Sequence, residues 1–237
     1  MKRFNLFNMI HKGLRAMLYE CALTLQQTYF PDEEEAAEAI QKIREAVFLF
    51  EKHGNHEDHI VMPPIKHVAA IMVEAFESEH IQDHALGSKL LHLINIFKDA
   101  KRDEERIIAG SALTKAFNDF MIFNFEHMAK EEIEINPVLW EQYSDEELMG
   151  INAQIIASIS EEEKEISARW MLKGINKQEV KEWMMAVKNT SPDPVFQKLY
   201  QMSGFYLPER YRKEVMQFVV KSDPKYNGIP LSGIFAE

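Results

Sequence analysis

The sequence predicts an all-α protein, an antiparallel up-down four-helix bundle with an additional C-terminal helical region. Apolar residues recur at three- and four-residue steps through the first 143 residues, which is the period of one helix face. Two proline-containing breaks and a charged turn over 98–106 divide this pattern into four long segments with short connections, the arrangement typical of such a bundle. We therefore expect a bundle domain over 1–143 and an α-helical extension over 144–237, packed on the bundle or at an interface.

Three of the four bundle segments have proline or capping signals at their ends. Pro31 ends the first segment, and Asp32 is placed to cap the second, whose first turn is acidic. Pro63 and Pro137 end the second and fourth segments, because proline lacks the amide donor that a helix interior requires. The helices are expected over about residues 4–30, 33–62, 68–99 and 102–135.

The region after residue 143 has a different local character. Ser144, Ser160 and Asn176 each precede a glutamate by three residues, which is the capping-box pattern of a helix start. A tail rich in proline and glycine begins at Asp223 and is predicted to be irregular. The aromatic residues of this region recur at helical spacing and are expected to lie mainly in a core. Helices are expected over about residues 145–158, 161–173, 177–188, 193–202 and 207–220.

The composition excludes several classes of protein. The 38 acidic and 27 basic residues of the 237-residue chain give a net charge of −11, so the basic footprint of a nucleic-acid-binding protein is absent. No run approaches the roughly 20 apolar residues that span a bilayer, and the N-terminus has no signal-peptide pattern. The single cysteine, Cys21, precludes an intrachain disulfide and should pack as a small apolar residue. We expect a cytoplasmic protein without nucleic-acid or membrane partners.

Seven polar residues interrupt the apolar faces of the four bundle helices. A single buried histidine is usually satisfied by its neighbours, but seven such residues, most of them paired at i, i+4 spacing, are difficult to satisfy with each other. Metal ions satisfy them directly, and bundle cores commonly hold two metals between inward-facing glutamates and histidines. The seven residues are His11, His53, Glu57, His80, His84, His127 and Glu131.

The donor set also restricts the metal. Imidazole and carboxylate without thiolate suit iron, zinc or manganese better than an iron–sulfur cluster. Seven ligands exceed one tetrahedral zinc site, but they suit two adjacent cations. Glu57 and Glu131 come from different helices, and each can bridge two cations and lower their mutual repulsion. The sequence therefore predicts a dinuclear metal site in the bundle.

The order of these motifs resembles the hemerythrin family, specifically its bacterial HHE cation-binding branch. The chain presents His11, then His-x-x-x-Glu from His53, then Glu-His-x-x-x-His from Glu79. A His-x-x-x-Glu-Glu motif follows from His127, with a proline shortly after it. Each motif alone is weak, but the ordered set over about residues 5–143 is fairly specific.

The resemblance implies a four-helix bundle with a non-heme di-iron site, for which zinc or manganese are alternative metals. In that family two carboxylates and an oxo or hydroxo group bridge the irons, and one iron has an open position for O2, or in relatives for NO or peroxide. Carried over to this chain, the bridging carboxylates are Glu57 and Glu131. The terminal ligands are His11, His53, His80, His84 and His127.

Three of these assignments have alternatives. Some relatives keep one histidine in the third helix, and His80 then matches better than His84. Relatives that place the last carboxylate one residue further select Glu132, whereas the HHE spacing and the helical phase favour Glu131. His56 is a neighbour of the ligand in the second helix, but no carboxylate lies four residues beyond it. The histidines expected outside the ligand set are His56, His59, His67 and His92.

Three functional hypotheses follow from the sequence. The first is a hemerythrin-like protein that binds O2 or another diatomic ligand, for oxygen handling, sensing or iron homeostasis. The second is a di-iron enzyme of the stress response that acts on NO or peroxide, or in iron–sulfur cluster repair. The third is a structural metal site, with C-terminal helices that dock a partner or form a homodimer.

Overall fold

Four long helices form the antiparallel bundle that the sequence predicts. In the computed structural model, which describes residues 3–222, each long helix packs against the next and the fourth packs against the first. No strand occurs in this part of the chain, so the all-α prediction is confirmed. The helices are α1 (Asn8–Gln27), α2 (Glu33–His56), α3 (Lys66–Asp99), α4 (Asp103–Lys130), α5 (Asn136–Gln142), α6 (Asp145–Ser158), α7 (Glu161–Gly174), α8 (Lys177–Thr190), α9 (Asp193–Tyr206) and α10 (Glu209–Ser222).

The core of the bundle lies between α1, α2, α3 and α4 and consists of large aliphatic and aromatic side chains. Leu18, Ile43, Leu90 and Phe117 are fully buried, one from each helix. Removing apolar surface from water stabilises by about 25 cal/mol per Å², so these stripes provide the main driving force for bundle formation. Cys21 is buried in the same core, as expected for a small apolar side chain.

Two bundle helices continue into short π-helical segments, which the sequence analysis did not predict. α2 continues as Glu57–Val61 and α4 as Glu131–Ile135. The backbone then bonds five residues back, as where the Met62 amide donates to the Glu57 carbonyl at 2.8 Å. A π turn holds more residues than an α turn and is frequent at functional sites. The helices expected over about 33–62 and 102–135 thus change from α to π geometry at two buried glutamates.

The C-terminal helices begin where the capping residues predict. Ser144 and Asn176 form reciprocal capping boxes with the glutamates three residues on. Ser160 caps α7 by accepting a hydrogen bond from the Glu163 amide. These caps satisfy amides that have no partner within the helix. The tail from Asp223, predicted to be irregular, lies outside the described residues.

Helix α7 packs along α1 and brings the C-terminal helices onto the bundle. The two backbones approach closely. A Cβ at Gly13 would therefore lie 3.0 Å from a backbone nitrogen of α7. A Cβ at Gly174 would lie 2.3 Å from the carbonyl oxygen of Lys12. Trp170 of α7 enters the bundle core and donates its indole N–H to Glu45 of α2. α1, which carries the first predicted ligand, therefore packs between the other bundle helices and α7.

Helices α8, α9 and α10 form a second apolar core with the end of α7. Phe196, Tyr200 and Tyr211 are buried in it, which confirms the expectation that most aromatic residues of this region are core.

No helix in the described part of the chain is long and apolar enough to cross a membrane. The division of the chain into 1–143 and 144–237 stays a prediction.

Candidate metal centre

Six of the seven predicted polar residues meet in the interior of the bundle. α1 and α3 each contribute one histidine. α2 and α4 each contribute a histidine and, four residues later, the glutamate that opens the π-helical segment. The exposed fractions of these side chains lie between 0% and 11%. The six residues are His11, His53, Glu57, His80, His127 and Glu131.

The Glu57 carboxylate lies between two pairs of histidines. Its Oε1 atom is 3.2 Å from His53 Nε2 and 4.0 Å from His11 Nε2. Its Oε2 atom is 3.3 Å from His80 Nε2. The two oxygens of this side chain therefore face different histidine pairs.

Glu131 is arranged in the same way. Its Oε1 atom is 3.0 Å from His127 Nε2 and 3.7 Å from His80 Nε2, while its Oε2 atom is 3.4 Å from His11 Nε2. In each group of two histidines and two glutamates, one donor atom per residue lies within 4.8 Å of the others. The site thus contains two adjacent groups that could each hold a cation, and both glutamates belong to both groups.

Several of the inward-facing atoms have no hydrogen-bond partner. They are both carboxylate oxygens of Glu57 and of Glu131, and Nε2 of His80 and of His127. A buried polar group left unpaired costs about 1–3 kcal/mol, and native interiors rarely retain several of them together. Cations satisfy carboxylate oxygens and imidazole nitrogens as ligands, so this donor set fits a dinuclear metal site.

Three of the four histidines donate their outer nitrogen, Nδ1, to a carboxylate. Such a bond fixes the ring orientation and the tautomer that presents Nε2 to a metal. Sequence reasoning missed this role, although each carboxylate directly precedes or follows a predicted ligand in the chain. The pairs are His11 with Glu132 at 2.9 Å, His80 with Asp58 at 2.6 Å and His127 with Glu79 at 2.8 Å.

His84 does not join the other six residues. Its side chain is exposed, so the expectation that it lies on the buried side of α3 is wrong. On the buried face of α3, the residues that follow His80 are Asp83 and Gly87. His84, four residues after His80, is not on this face. Asp83 accepts a hydrogen bond of 2.6 Å from Asn124 of α4. Asp83 therefore lies on the bundle-facing side of α3, and His84 lies on the exposed side.

The packing also separates the other two pairs of alternatives. Glu131 is fully buried in the centre, whereas the Glu132 side chain is 33% exposed and lies beside α1. His53 reaches the centre, whereas His56 Nδ1 lies 3.5 Å from Glu163 of α7. The other histidines expected outside the site are exposed: His59, His67 and His92.

Burial and the surrounding carboxylates act in opposite directions on the pKa values of the histidines. Burial opposes protonation of His80, but the Asp58 carboxylate that accepts from Nδ1 and the nearby charges of Glu131 and Glu57 outweigh it and raise the pKa to about 12. The same competition raises the pKa of His127 to about 9. Burial prevails at His53 and lowers its pKa to about 4. The histidines hold the pKa of Glu57 well below its usual range, against the effect of burial.

A cavity of about 330 Å³ lies between α2 and α3 and reaches the site. Its lining includes His80 and Asp58, and His84 also borders it. Gly54 contributes to this space, because a Cβ at that position would lie 3.4 Å from the His80 ring. A small molecule therefore has room beside one of the two histidine pairs.

Two histidine pairs that share two glutamates inside a helical bundle are the kind of donor set with which such bundles bind metal ions. The model of the hemerythrin HHE cation binding domain matches residues 4–139. This span is more than half of the chain, and the protein belongs to the hemerythrin HHE family. The resemblance drawn from the motifs is confirmed.

Among curated proteins, the chain is similar to a zinc finger protein BRUTUS-like of Arabidopsis thaliana. The two are 23% identical over 188 residues, which is 79% of this chain but 15% of that protein. The aligned share of this chain exceeds the span of the family model, so the similarity includes residues outside 4–139. No solved structure matches the chain significantly.

Proposed function

We propose that this metal-binding hemerythrin-like protein holds two iron ions that bind O2 or another diatomic ligand, in oxygen handling, sensing or iron homeostasis. The observation that carries the proposal is the pair of glutamates, each with one buried oxygen toward each histidine pair. One ion would be held by His11 and His53, the other by His80 and His127, with Glu57 and Glu131 between them.

The shared glutamates support two ions rather than one. Two divalent cations at adjacent positions repel each other, and a carboxylate between them offsets that repulsion with its own charge. The imidazole and carboxylate donors suit iron, zinc and manganese alike. Family membership supports iron among these.

The surroundings of the site support a small ligand. Two imidazoles and two carboxylates leave positions open on an octahedral ion, and the cavity beside His80 gives room for a diatomic molecule. Ferrous iron, when bound, supplies electron density to such a ligand. Aromatic rings exclude water from the rest of the site, since the Phe7 ring lies 5.1 Å from the His11 ring and Phe123 stacks on His127 at 5.9 Å.

The test is to load the purified full chain with ferrous iron under anaerobic conditions, measure its metal content, and then add O2 or NO. We expect two iron ions per chain and new visible absorption bands on addition of the gas. A content below one ion per chain, or no spectral change with either gas, contradicts the proposal. Catalytic turnover of NO or peroxide would replace a binding role with an enzymatic one.

Metal binding is expected to release protons, so the apparent affinity for a divalent cation should rise with pH. At neutral pH the metal-free protein holds protons on His80 and His127, whose pKa values are about 12 and about 9. A histidine ligand must give up its proton. Below the lower of these pKa values, each displaced proton makes the apparent association constant about tenfold larger per pH unit.

Affinities measured at about pH 6, 7 and 8, together with an indicator dye in weak buffer, check this expectation. An affinity that does not change over this range, with no proton release, contradicts the assignment of the two histidines as ligands.

A further inference from the structure

The two halves of the bundle repeat the same arrangement of site residues. α1 and α2 contribute a lone histidine and then a His-x-x-x-Glu pair, and α3 and α4 do the same. In both halves the glutamate opens a π-helical segment of five residues. The corresponding residues are His11 and His80, His53 and His127, Glu57 and Glu131, and the prolines that follow, Pro63 and Pro137.

Two of the supporting carboxylates follow this repeat. Asp58 comes directly after the glutamate of the first half and accepts a hydrogen bond from the lone histidine of the second half, His80, at 2.6 Å. Glu132 comes directly after the glutamate of the second half and accepts from the lone histidine of the first, His11, at 2.9 Å. The lone histidines of the two halves are therefore supported in equivalent ways.

The repeat is broken at the third carboxylate. Glu79 directly precedes the lone histidine of the second half and accepts a hydrogen bond from His127 Nδ1 at 2.8 Å. The corresponding residue of the first half is Ile10, a half-buried side chain packed against the bundle core. Within residues 3–222, His53 makes its polar contacts through Nε2, and no carboxylate accepts from its Nδ1.

We propose that the two cation sites are unequal: the site of His80 and His127 takes up the first equivalent of metal, and the site of His11 and His53 takes up the second. This inference rests on the proposed binding of two metal ions. A carboxylate on the outer nitrogen orients the ring and makes it a stronger ligand, and its loss typically costs 10–100-fold in metal affinity. Both histidines of the first site have this support, whereas one histidine of the second lacks it.

The location of the first ion distinguishes unequal sites from two equal sites whose bound ions repel each other. Two equal sites also fill in two steps, because the first ion repels the second. Equal sites, however, share the first equivalent evenly. Unequal sites that differ by about 10–100-fold in affinity place most of it at one position.

The test is anomalous scattering from crystals of the full chain prepared with one equivalent of Zn²⁺. We expect the zinc signal beside His80 and His127, with little signal beside His11 and His53. Equal signals, or a stronger signal beside His11 and His53, overturn the inference while leaving two-metal binding intact. Absence of zinc from both positions overturns the inference, and the ferrous-iron loading described above then decides separately whether the proposed function stands.

Variants of the supporting carboxylate give a second test in solution. Glu79→Gln should weaken the first step of a calorimetric Zn²⁺ titration about 10–100-fold and spread the first equivalent over both positions. Two matched controls lie close by: Glu74→Gln on the exposed side of α3, and Lys130→Gln, which removes the 2.6 Å ion pair with Glu79 but keeps the Glu79 carboxylate beside His127. Both should leave the first step unchanged. A Glu79→Gln protein with an unaltered titration and an unaltered distribution of zinc overturns the inference.

Discussion

Glu131→Gln is expected to reduce the metal content of the protein from two ions per chain to one or fewer. The substitution keeps the shape of the side chain but removes a negative charge that both cation positions share through Oε1 and Oε2. Changes at partners beyond the ligands already cost 10–100-fold in metal affinity. Loss of a bridging ligand should therefore cost at least about a hundredfold. Metal analysis after dialysis, together with a stepwise titration, measures the effect.

A control for this variant lies three residues further on. Glu134→Gln removes the same charge from the same π-helical segment, but Glu134 is exposed, so two ions should bind with unchanged affinity. Glu57→Gln, at the equivalent position of the first half, should reproduce the defect of Glu131→Gln. Two ions bound to Glu131→Gln with wild-type affinity would remove this residue from the ligand set.

Gly110→Ala is expected to lower the free energy of unfolding by about 3 kcal/mol, the upper part of the range for overpacked cores. The sign opposes helix propensity, because alanine in a helix interior is normally better than glycine by about 1 kcal/mol. A Cβ at Gly110 would lie 2.1 Å from the Phe30 ring. That ring is buried and packs edge-on against Phe97, with centroids 5.6 Å apart. It cannot move aside without displacing a second aromatic ring.

Chemical denaturation of the metal-free protein measures this effect, and another glycine provides the control. A Cβ at Gly150 in α6 meets no atom within 4 Å, so Gly150→Ala should stabilise by up to about 1 kcal/mol. Adding Phe30→Leu to Gly110→Ala should recover part of the lost stability if the ring causes the clash. A Gly110→Ala protein as stable as wild type would show that Phe30 repacks without cost.

The helix ends and most of the ligand candidates could be predicted from the sequence because both depend on local chemistry. The Asp32 side chain accepts from the amides of Glu34 and Glu35, and the capping boxes at Ser144 and Asn176 form as predicted. Histidines and glutamates on an apolar stripe can be recognised in the sequence before the packing is known, since burying them without partners is costly. Six of the seven predicted residues therefore meet in the bundle.

Two features of the site depended on contacts between helices. His84 is exposed because Asp83, and not His84, faces the bundle, where it accepts a hydrogen bond from Asn124 of α4. The π-helical segments place Glu57 and Glu131 between both histidine pairs. No local pattern predicts either feature. Which of two consecutive residues faces the bundle depends on the helices that pack against it.

The carboxylates that accept from the histidine Nδ1 atoms also could not be assigned from local sequence. Their bonds to the histidines join residues 22, 48 and 121 positions apart in the chain. Local propensity and hydrophobic period established four amphipathic helices and marked the residues that interrupt their apolar faces. The pairing of those residues, and the absence of a carboxylate beside His53 Nδ1 within residues 3–222, came from the fold. The reason is physical: side chains on different helices become neighbours only once the helices have packed.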